Sequence, residues 1–300
     1  MNNSITTRRE QPSLELRAVH GLAIAIVTII LFVTNALPQS DSAALGMPAN
    51  EMARKVVNNE LKSHNEDQSH WLYQLEKEES GRKQVQEILE TNGGSLSRLL
   101  SMEGHPLDAK QQRQENQRMQ RLVGHPDEQL KLQEASKKKA ERGACLFKLL
   151  PDVFMFAYAG RQGNIVTLAF RPNPNFKPSS IEARVLYGMQ GEMTVDAKQE
   201  RLVALNGHLV EDVKFGGGLF GHLDKGGKFE VRQAEVAPGH WKVTVLDVDM
   251  KGKAFLFKVI EVKETENHTD FRPVPNGLTL AEAAAILDGQ IVVAANHQAK

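Results

Sequence analysis

Paired carboxyls are the first feature of the sequence that could do chemistry. Glu182 with Asp196 and Glu230 with Asp247 lie on strand-like stretches, where cross-strand pairing would set two acids side by side as glycoside hydrolysis requires. Carboxylates on a sheet rich in Lys and Arg ordinarily face solvent, so these are expected to be surface groups. Gly216-Gly217-Gly218-Leu219-Phe220-Gly221 has the spacing of a dinucleotide-binding turn, but that turn must lead into a helix whose N-terminus meets the pyrophosphate. Asp224-Lys225-Gly226-Gly227 and a further strand follow instead, so the glycines read as a flexible connection, able to serve as a lid or mouth. His105 has Asp108 nearby, and His125 has Asp127 and Glu128, but neither has a third ligand for a metal. His208 and His240 are expected to be exposed at hairpin ends. The single cysteine, Cys145, lies among apolar neighbours and reads as a small buried side chain, not a nucleophile. A lone cysteine also excludes an intrachain disulfide and every Cys-x-x-Cys zinc pattern. No Gly-x-Ser-x-Gly elbow is present. The expectation is therefore a chain without catalytic residues, cofactors or metal ligands, with a hydrolase kept as an alternative.

Composition points the same way. Lys plus Arg and Asp plus Glu each number 37, giving a net charge of +0, which argues against nucleic acid as a partner. The run Lys137-Lys138-Lys139, relieved by Glu134 and Glu141, reads as a solvated helix face. Hydrophobic residues at 41% and charged residues at 25% describe a folded chain of one or two domains.

The elements that must position any site begin after an address. Arg8, Arg9 and Arg17 precede an uncharged apolar run from Gly21 to Val33, and Thr34-Asn35-Ala36 supplies small residues for cleavage. The run suits the roughly 7–15 residues of a signal peptide better than the roughly 20 of a spanning helix. Export to the periplasm or the exterior is expected, with an uncleaved inner-membrane anchor over residues 21–37 as the alternative. Residues 37–66 read as a tether and short helix, with Met52, Ala53, Val56, Val57 and Leu61 on one face. Trp71–Glu76 suits a strand, Ser80-Gly81 a turn, and the polar stretch around Val85, Ile88 and Leu89 either strand or helix; with the residues after Asn92-Gly93-Gly94 these are read as three strands. Helices are predicted over Ala109–Leu122 and Asp127–Leu150, the second placing Leu130, Ala135, Ala140, Ala144, Leu146, Leu149 and Leu150 along a narrow stripe, and both are expected to lie on the surface.

From Val153 to Val262 the pattern is β throughout, including Ile181–Tyr187. Turns are predicted at Gly160–Asn164, Asn206-Gly207, Gly226-Gly227, Pro238-Gly239 and Lys251-Gly252. Short strands joined by tight turns imply an antiparallel sheet. Several strands are apolar on both faces, which implies that something covers each side. The fold class is α+β: a strongly curved antiparallel β-sheet, a half-barrel, with helices over the concave face and an N-terminal signal or anchor helix. The sheet domain is placed at residues 67–275 with a helical insertion at 106–150. A C-terminal helix and tail occupy residues 276–300, the helix opened by a Thr279/Glu282 capping box.

Four motifs carry a resemblance. Ala157-Tyr158-Ala159-Gly160, Gly191–Lys198, Arg201–Gly207 and Pro238–Lys242, in that order, resemble the strand edges of the outer-membrane lipoprotein carrier and sorting proteins and of the related sensor domain of periplasmic sigma-factor regulators. Uncharacterised exported bacterial proteins of that superfamily look closer still. The resemblance covers roughly Trp71 to Phe271 and implies an unclosed antiparallel barrel with a helix-capped hydrophobic concavity that binds acyl chains. The carriers lock their lid with an inner-face arginine, a residue not assigned in this sequence. The function expected on these grounds is non-enzymatic binding of a lipid, a lipoprotein acyl chain or an envelope protein. The expected cavity lining is Phe154, Phe156, Leu168, Phe170, Val185, Tyr187, Phe255 and Phe257. A structural or protein-interaction module of the envelope with no ligand is the second reading, and docking would then use the helices within 109–150.

Overall fold

The structure is a computed structural model and describes residues 46–92, 94–254 and 258–289. The expected signal or anchor segment, the end of the expected tail, and Phe255 to Phe257 lie outside the described residues. Helix α1 (Ala49–Glu66) puts Met52, Ala53, Val56, Val57 and Glu60 on one buried face, as helical spacing requires. Strands β1 (His70–Glu79), β2 (Arg82–Thr91) and β3 (Gly94–Met102) follow, then a two-residue strand β4 (His105–Pro106). Ser80 and Gly81 both take positive φ, 51° and 79°, which a tight two-residue hairpin turn demands. The helical insertion is α2 (Ala109–Gly124) and α3 (Pro126–Val153). Asp108 and Gln111 close a capping box, so α2 opens after the Gly-His-Pro motif, whereas Pro126 sits at the start of α3 where its missing N–H costs nothing.

The rest is sheet with two short helices. Strands β5 (Phe154–Gln162) and β6 (Ile165–Pro172) lead to helix α4 (Ile181–Tyr187). Then come β7 (Met189–Asp196), β8 (Arg201–Leu209), the short pair β9 (Val213–Phe215) and β10 (Gly221–Leu223), β11 (Lys228–Ala237), β12 (His240–Ala254), β13 (Lys258–Val274) and helix α5 (Leu280–Leu287). The order across the sheet is β4-β3-β2-β1-β13-β12-β11-β8-β7-β6-β5, with antiparallel pairing and the β9–β10 hairpin set against β12. The last long strand closes on the first, while β4 and β5 are left as unjoined edges, so the curved sheet is not closed. Thr279 and Glu282 form the expected capping box on α5.

Several local expectations give way to tertiary packing. Residues 181–187 are helix, not strand: the Ser180 hydroxyl accepts the Ala183 N–H at 3.1 Å, and the turn buries Ala183, Val185 and Leu186. Asn206-Gly207 is no turn, because β8 runs straight through it to Leu209 and pairs Gly207 with Gly191 of β7. Lys251-Gly252 likewise lies inside β12, where Gly252 faces Leu223 of β10. Cys145 is exposed, because α3 turns Leu146, Phe147 and Leu150 inward and leaves the cysteine outside. In the first turns of α3, Leu130 points to solvent and Gln129 is the buried residue.

Two apolar cores hold the elements. The larger joins α1, the C-terminal half of α3 and α4 to β5–β8, β11 and β12. The smaller joins Leu72, Leu89 and Leu96 of β1–β3 to Met119 and Leu122 of α2 and to Ala283, Ala284 and Leu287 of α5. Strand alternation puts them on opposite faces. Leu72 leads to the smaller core, whereas Lys77 pairs with Glu266, and Glu266 pairs with Leu246 of the larger core. Individual C-terminal strands are not buried on both sides: Ile260 is 4% exposed and its neighbour Val259 67%, and Val166, Leu168 and Phe170 are buried while Ile165 is 36% exposed.

Candidate ligand-binding cleft

The aromatic residues expected to line a cavity are packed core. Phe154, Phe156 and Phe170 form a ring cluster with centroids 4.4, 5.9 and 6.3 Å apart, and Leu168 and Val185 are fully buried beside them. Tyr187 is half-buried against that core and stacks on Phe176. Phe255 and Phe257 lie outside the described residues.

Open space lies elsewhere, where α1 and α3 cross β8, β11 and β12. A cavity of about 200 Å³ is bounded by Leu61 of α1, Ala140, Ala144 and Phe147 of α3, and Leu202, Leu205, Val231 and Val243 of the sheet. Its rim residues Glu60, His64, Gln233 and Val243 also border a larger cleft of about 820 Å³ between the end of α1 and the start of β1, β12 and the end of β13. The two spaces share these four residues, so an apolar pit adjoins a polar, aromatic basin.

An ion pair joins pit and basin. Arg201 Nε donates to Glu60 Oε1 at 2.7 Å and its Nη2 donates to Oε2 at 3.1 Å; the Leu202 N–H adds a bond to Oε1 at 2.8 Å. Both side chains are about nine-tenths buried, at 11% and 10% exposed. The Arg201 guanidinium also lies 5.5 Å from the Trp241 ring centroid. This contact ties α1 to the sheet across 141 residues of sequence. The pair is not legible in the sequence, because helix and strand patterns place a Glu and an Arg on faces but not opposite each other.

The basin wall is aromatic and internally paired. Trp71 is buried, donates its Nε1–H to Ser69 Oγ at 2.7 Å, and has Lys242 Nζ 5.7 Å from its ring centroid. His240 packs edge-on against Trp71 at 5.4 Å and lies 3.8 Å from Asp67, so it is part of the site and not a free hairpin end. Tyr73 stacks between His268 and Phe271, and burial followed by the charges of Glu90 and Glu266 raises its hydroxyl well above the usual range. Burial likewise raises Glu90, against the pull of Lys242 and the Trp71 N–H. Burial also pushes Asp67 upward, but hydrogen bonds from Ser69 and the Lys242 charge overcome it and hold the carboxyl at about 2. The lowered value means that Asp67 stabilises the fold while ionised. That stability is present above pH about 4 and is lost as pH falls toward 2. Acid titration of unfolding stability is expected to show less loss between pH 4 and 2 for Asp67→Asn than for the native chain; identical curves would remove Asp67 from this account.

Beyond β12 the inner face turns from apolar to charged. Glu264 and Glu266 continue the row of Val248 and Leu246, and Lys77 of β1 bonds Glu264 and lies 3.3 Å from Glu266. His268 pairs with Glu266 at 3.1 Å. Burial drives both carboxyls upward. Glu264 stays raised, while the His268 bond and the Lys77 charge bring Glu266 down to about 2, so the two neighbouring carboxyls are pushed in opposite directions. Lysine holds the pair on one side and histidine on the other.

Of the two expected acid pairs, one is brought together and one is not. Glu230 and Asp247 are direct cross-strand neighbours, but Glu230 pairs with Arg232 at 2.9 Å and Asp247 accepts from Thr265 at 2.8 Å. Glu182 is on α4 and Asp196 ends β7, where it caps the turn to β8. His208 sits inside β8, within 3.2 Å of Gln190, and burial lowers its pKa. Among the described residues no group of three or more His, Cys, Asp or Glu is placed to hold a metal ion, and no helix is long and apolar enough to cross a membrane. No family model matches this chain, and neither a curated protein nor a solved structure matches it.

Proposed function

We propose that this chain is an exported, non-catalytic binding protein of the cell envelope that takes the apolar part of an amphiphile, an acyl chain or a lipidated partner, into the pit under α1 and α3. The observation that carries this reading is an apolar pit that shares four wall residues with a polar, aromatic basin. The pit holds about seven water-sized volumes at roughly 30 Å³ each. A similar number of methylenes at ~0.8 kcal/mol each gives a site between millimolar and tenth-millimolar by itself. Useful affinity then needs the basin, whose rings and hydrogen-bonding groups suit a polar head. The curved sheet serves here as a half-barrel, with α1 and α3 as the cover of its concave side. Arg201, gripping α1 through Glu60, fits the lid-locking arginine that the carrier resemblance implies.

Dodecanoate and dansyl-undecanoic acid are suitable probes. Ala144→Trp is expected to fill the pit and weaken probe binding by about tenfold or more, with the thermal midpoint little changed, because each lost methylene contact removes part of the burial. Cys145→Ser, on the outer side of the same helix, is expected to bind as the native chain does. Failure of the native chain to bind either probe, or equal binding by Ala144→Trp, would overturn the proposal.

A further inference from the structure

A second apolar feature lies at the opposite end of the strands. Leu219 is 71% exposed, Phe220 52% and Val259 67%. Leu219 and Phe220 form the tip of the β9–β10 connection. Gly216 there has φ 54°, and the Phe220 ring lies over it so closely that a Cβ would come within 2.7 Å of Cε2. The N–H groups of Leu219 and Phe220 bond back to Gly216 and Phe215 at 3.2 Å. The tip is therefore a built turn that presents two large apolar side chains, not a loose glycine connection.

Cations surround it. Cross-strand pairing aligns Lys214, His222, Lys253 and Val259 in one row over β9, β10, β12 and β13. The alternate residues Phe215, Leu223, Ala254 and Ile260 are buried, so the row faces solvent. Lys258, opposite Ala254 at the start of β13, is also exposed, though on the other face of the strand. Among the described residues, Lys214, Lys253 and Lys258 form no ion pair. The acids begin one step inward, where Asp224 meets His222 at 3.0 Å and Glu261 meets Lys251 at 2.8 Å.

We infer that this end docks on an anionic lipid bilayer, with Leu219 and Phe220 entering the interface and Lys214, Lys253 and Lys258 meeting the headgroups. Exposed apolar side chains at a turn tip, with unpaired lysines around them, have the chemistry of a segment that enters the interface of a fluid, negatively charged surface. Geometry gives this docking a consequence. From Val243 at the pit to Ala254 at the tip is eleven residue steps along β12. At roughly 3.3 Å per residue that is about 35 Å. A docked molecule holds its cleft well clear of the surface, open to soluble partners. The inference is independent of what the cleft binds.

The apolar run at residues 21–33 would itself bring the full chain to vesicles, so the readout must be local. In a Cys145→Ser background, a polarity-sensitive nitrobenzoxadiazole label is placed on Leu219→Cys, or on Lys198→Cys in the β7–β8 turn at the far end. With mixed phosphatidylglycerol–phosphatidylcholine vesicles the label at 219 is expected to shift to the blue and brighten, and the label at 198 to stay aqueous. Adding Lys214→Glu and Lys253→Glu is expected to raise the lipid concentration needed by about tenfold or more, since both charges then oppose the surface. Equal shifts at both labels, no shift at 219, or the same response to pure phosphatidylcholine would overturn the inference.

Discussion

Glu60→Ala is expected to lower the folding stability by about 3–5 kcal/mol, the cost of stranding one member of a buried ion pair. The substitution leaves the Arg201 guanidinium, 11% exposed, without its carboxylate, and leaves the Leu202 N–H without an acceptor. Gln233, whose Nε2 donates to Glu60 Oε2 at 3.4 Å, loses its acceptor as well. The Trp241 ring offers the arginine a partial refuge, which places the result toward the lower end of the range. The double variant Glu60→Met with Arg201→Met should recover most of the loss. Both desolvation costs disappear together, and unbranched side chains fill the space beside Leu202 and Leu61. Urea unfolding of the two variants followed by far-ultraviolet circular dichroism decides the matter. A single variant within 1 kcal/mol of the native chain, or a double variant as unstable as the single, would show that α1 is held by its apolar face alone.

The hydrophobic face of α1, the β1–β2 hairpin and the capping box of α5 were all legible in the sequence, because each depends on residues within one or two turns of each other. The antiparallel sheet was legible for the same reason, through its Gly and Pro punctuation. The partner of β1 was not: Trp71 meets Pro273 and Glu79 meets Glu264 through pairings that no local pattern encodes. The site suffered most from this. Large aromatic residues such as Phe154 and Phe170 were expected to line a cavity because they are apolar, yet large rings close space by packing on one another. The pit instead opens beside Ala140, Gly143 and Ala144, small residues of α3 that leave space between Phe147 and the end of α1. Small residues on the inner face of a helix were the available signal. The basin draws on α1, β1, β8, β12 and β13, so it appears only once β13 has returned to β1.

Gly191→Ala is expected to be among the most damaging single-methyl changes in the chain, costing about 3 kcal/mol or more. Gly191 of β7 faces Gly207 of β8, and Phe170 of β6 lies across both. A Cβ on Gly191 would stand 2.5 Å from Phe170 Cζ and 2.9 Å from the Asn206 carbonyl carbon, with the carbonyl oxygen nearer still. A ring can turn aside, but a paired backbone carbonyl in the middle of a sheet has nowhere to go. Phe170→Leu therefore should not rescue Gly191→Ala, although it removes the ring from the contact. Gly207→Ala should be milder, because its nearest neighbours are the Gln190 carbonyl oxygen at 3.0 Å and Phe170 Cζ at 3.4 Å. Asn206-Gly207 looks like a hairpin turn because both residues tolerate positive φ, but the glycine is there so that three strands and one phenyl ring can approach closely. Thermal unfolding of Gly191→Ala, Gly207→Ala and the Gly191→Ala/Phe170→Leu pair tests this ordering. A Gly207→Ala variant less stable than Gly191→Ala, or full rescue by Phe170→Leu, would mean that the ring and not the neighbouring strand sets the limit.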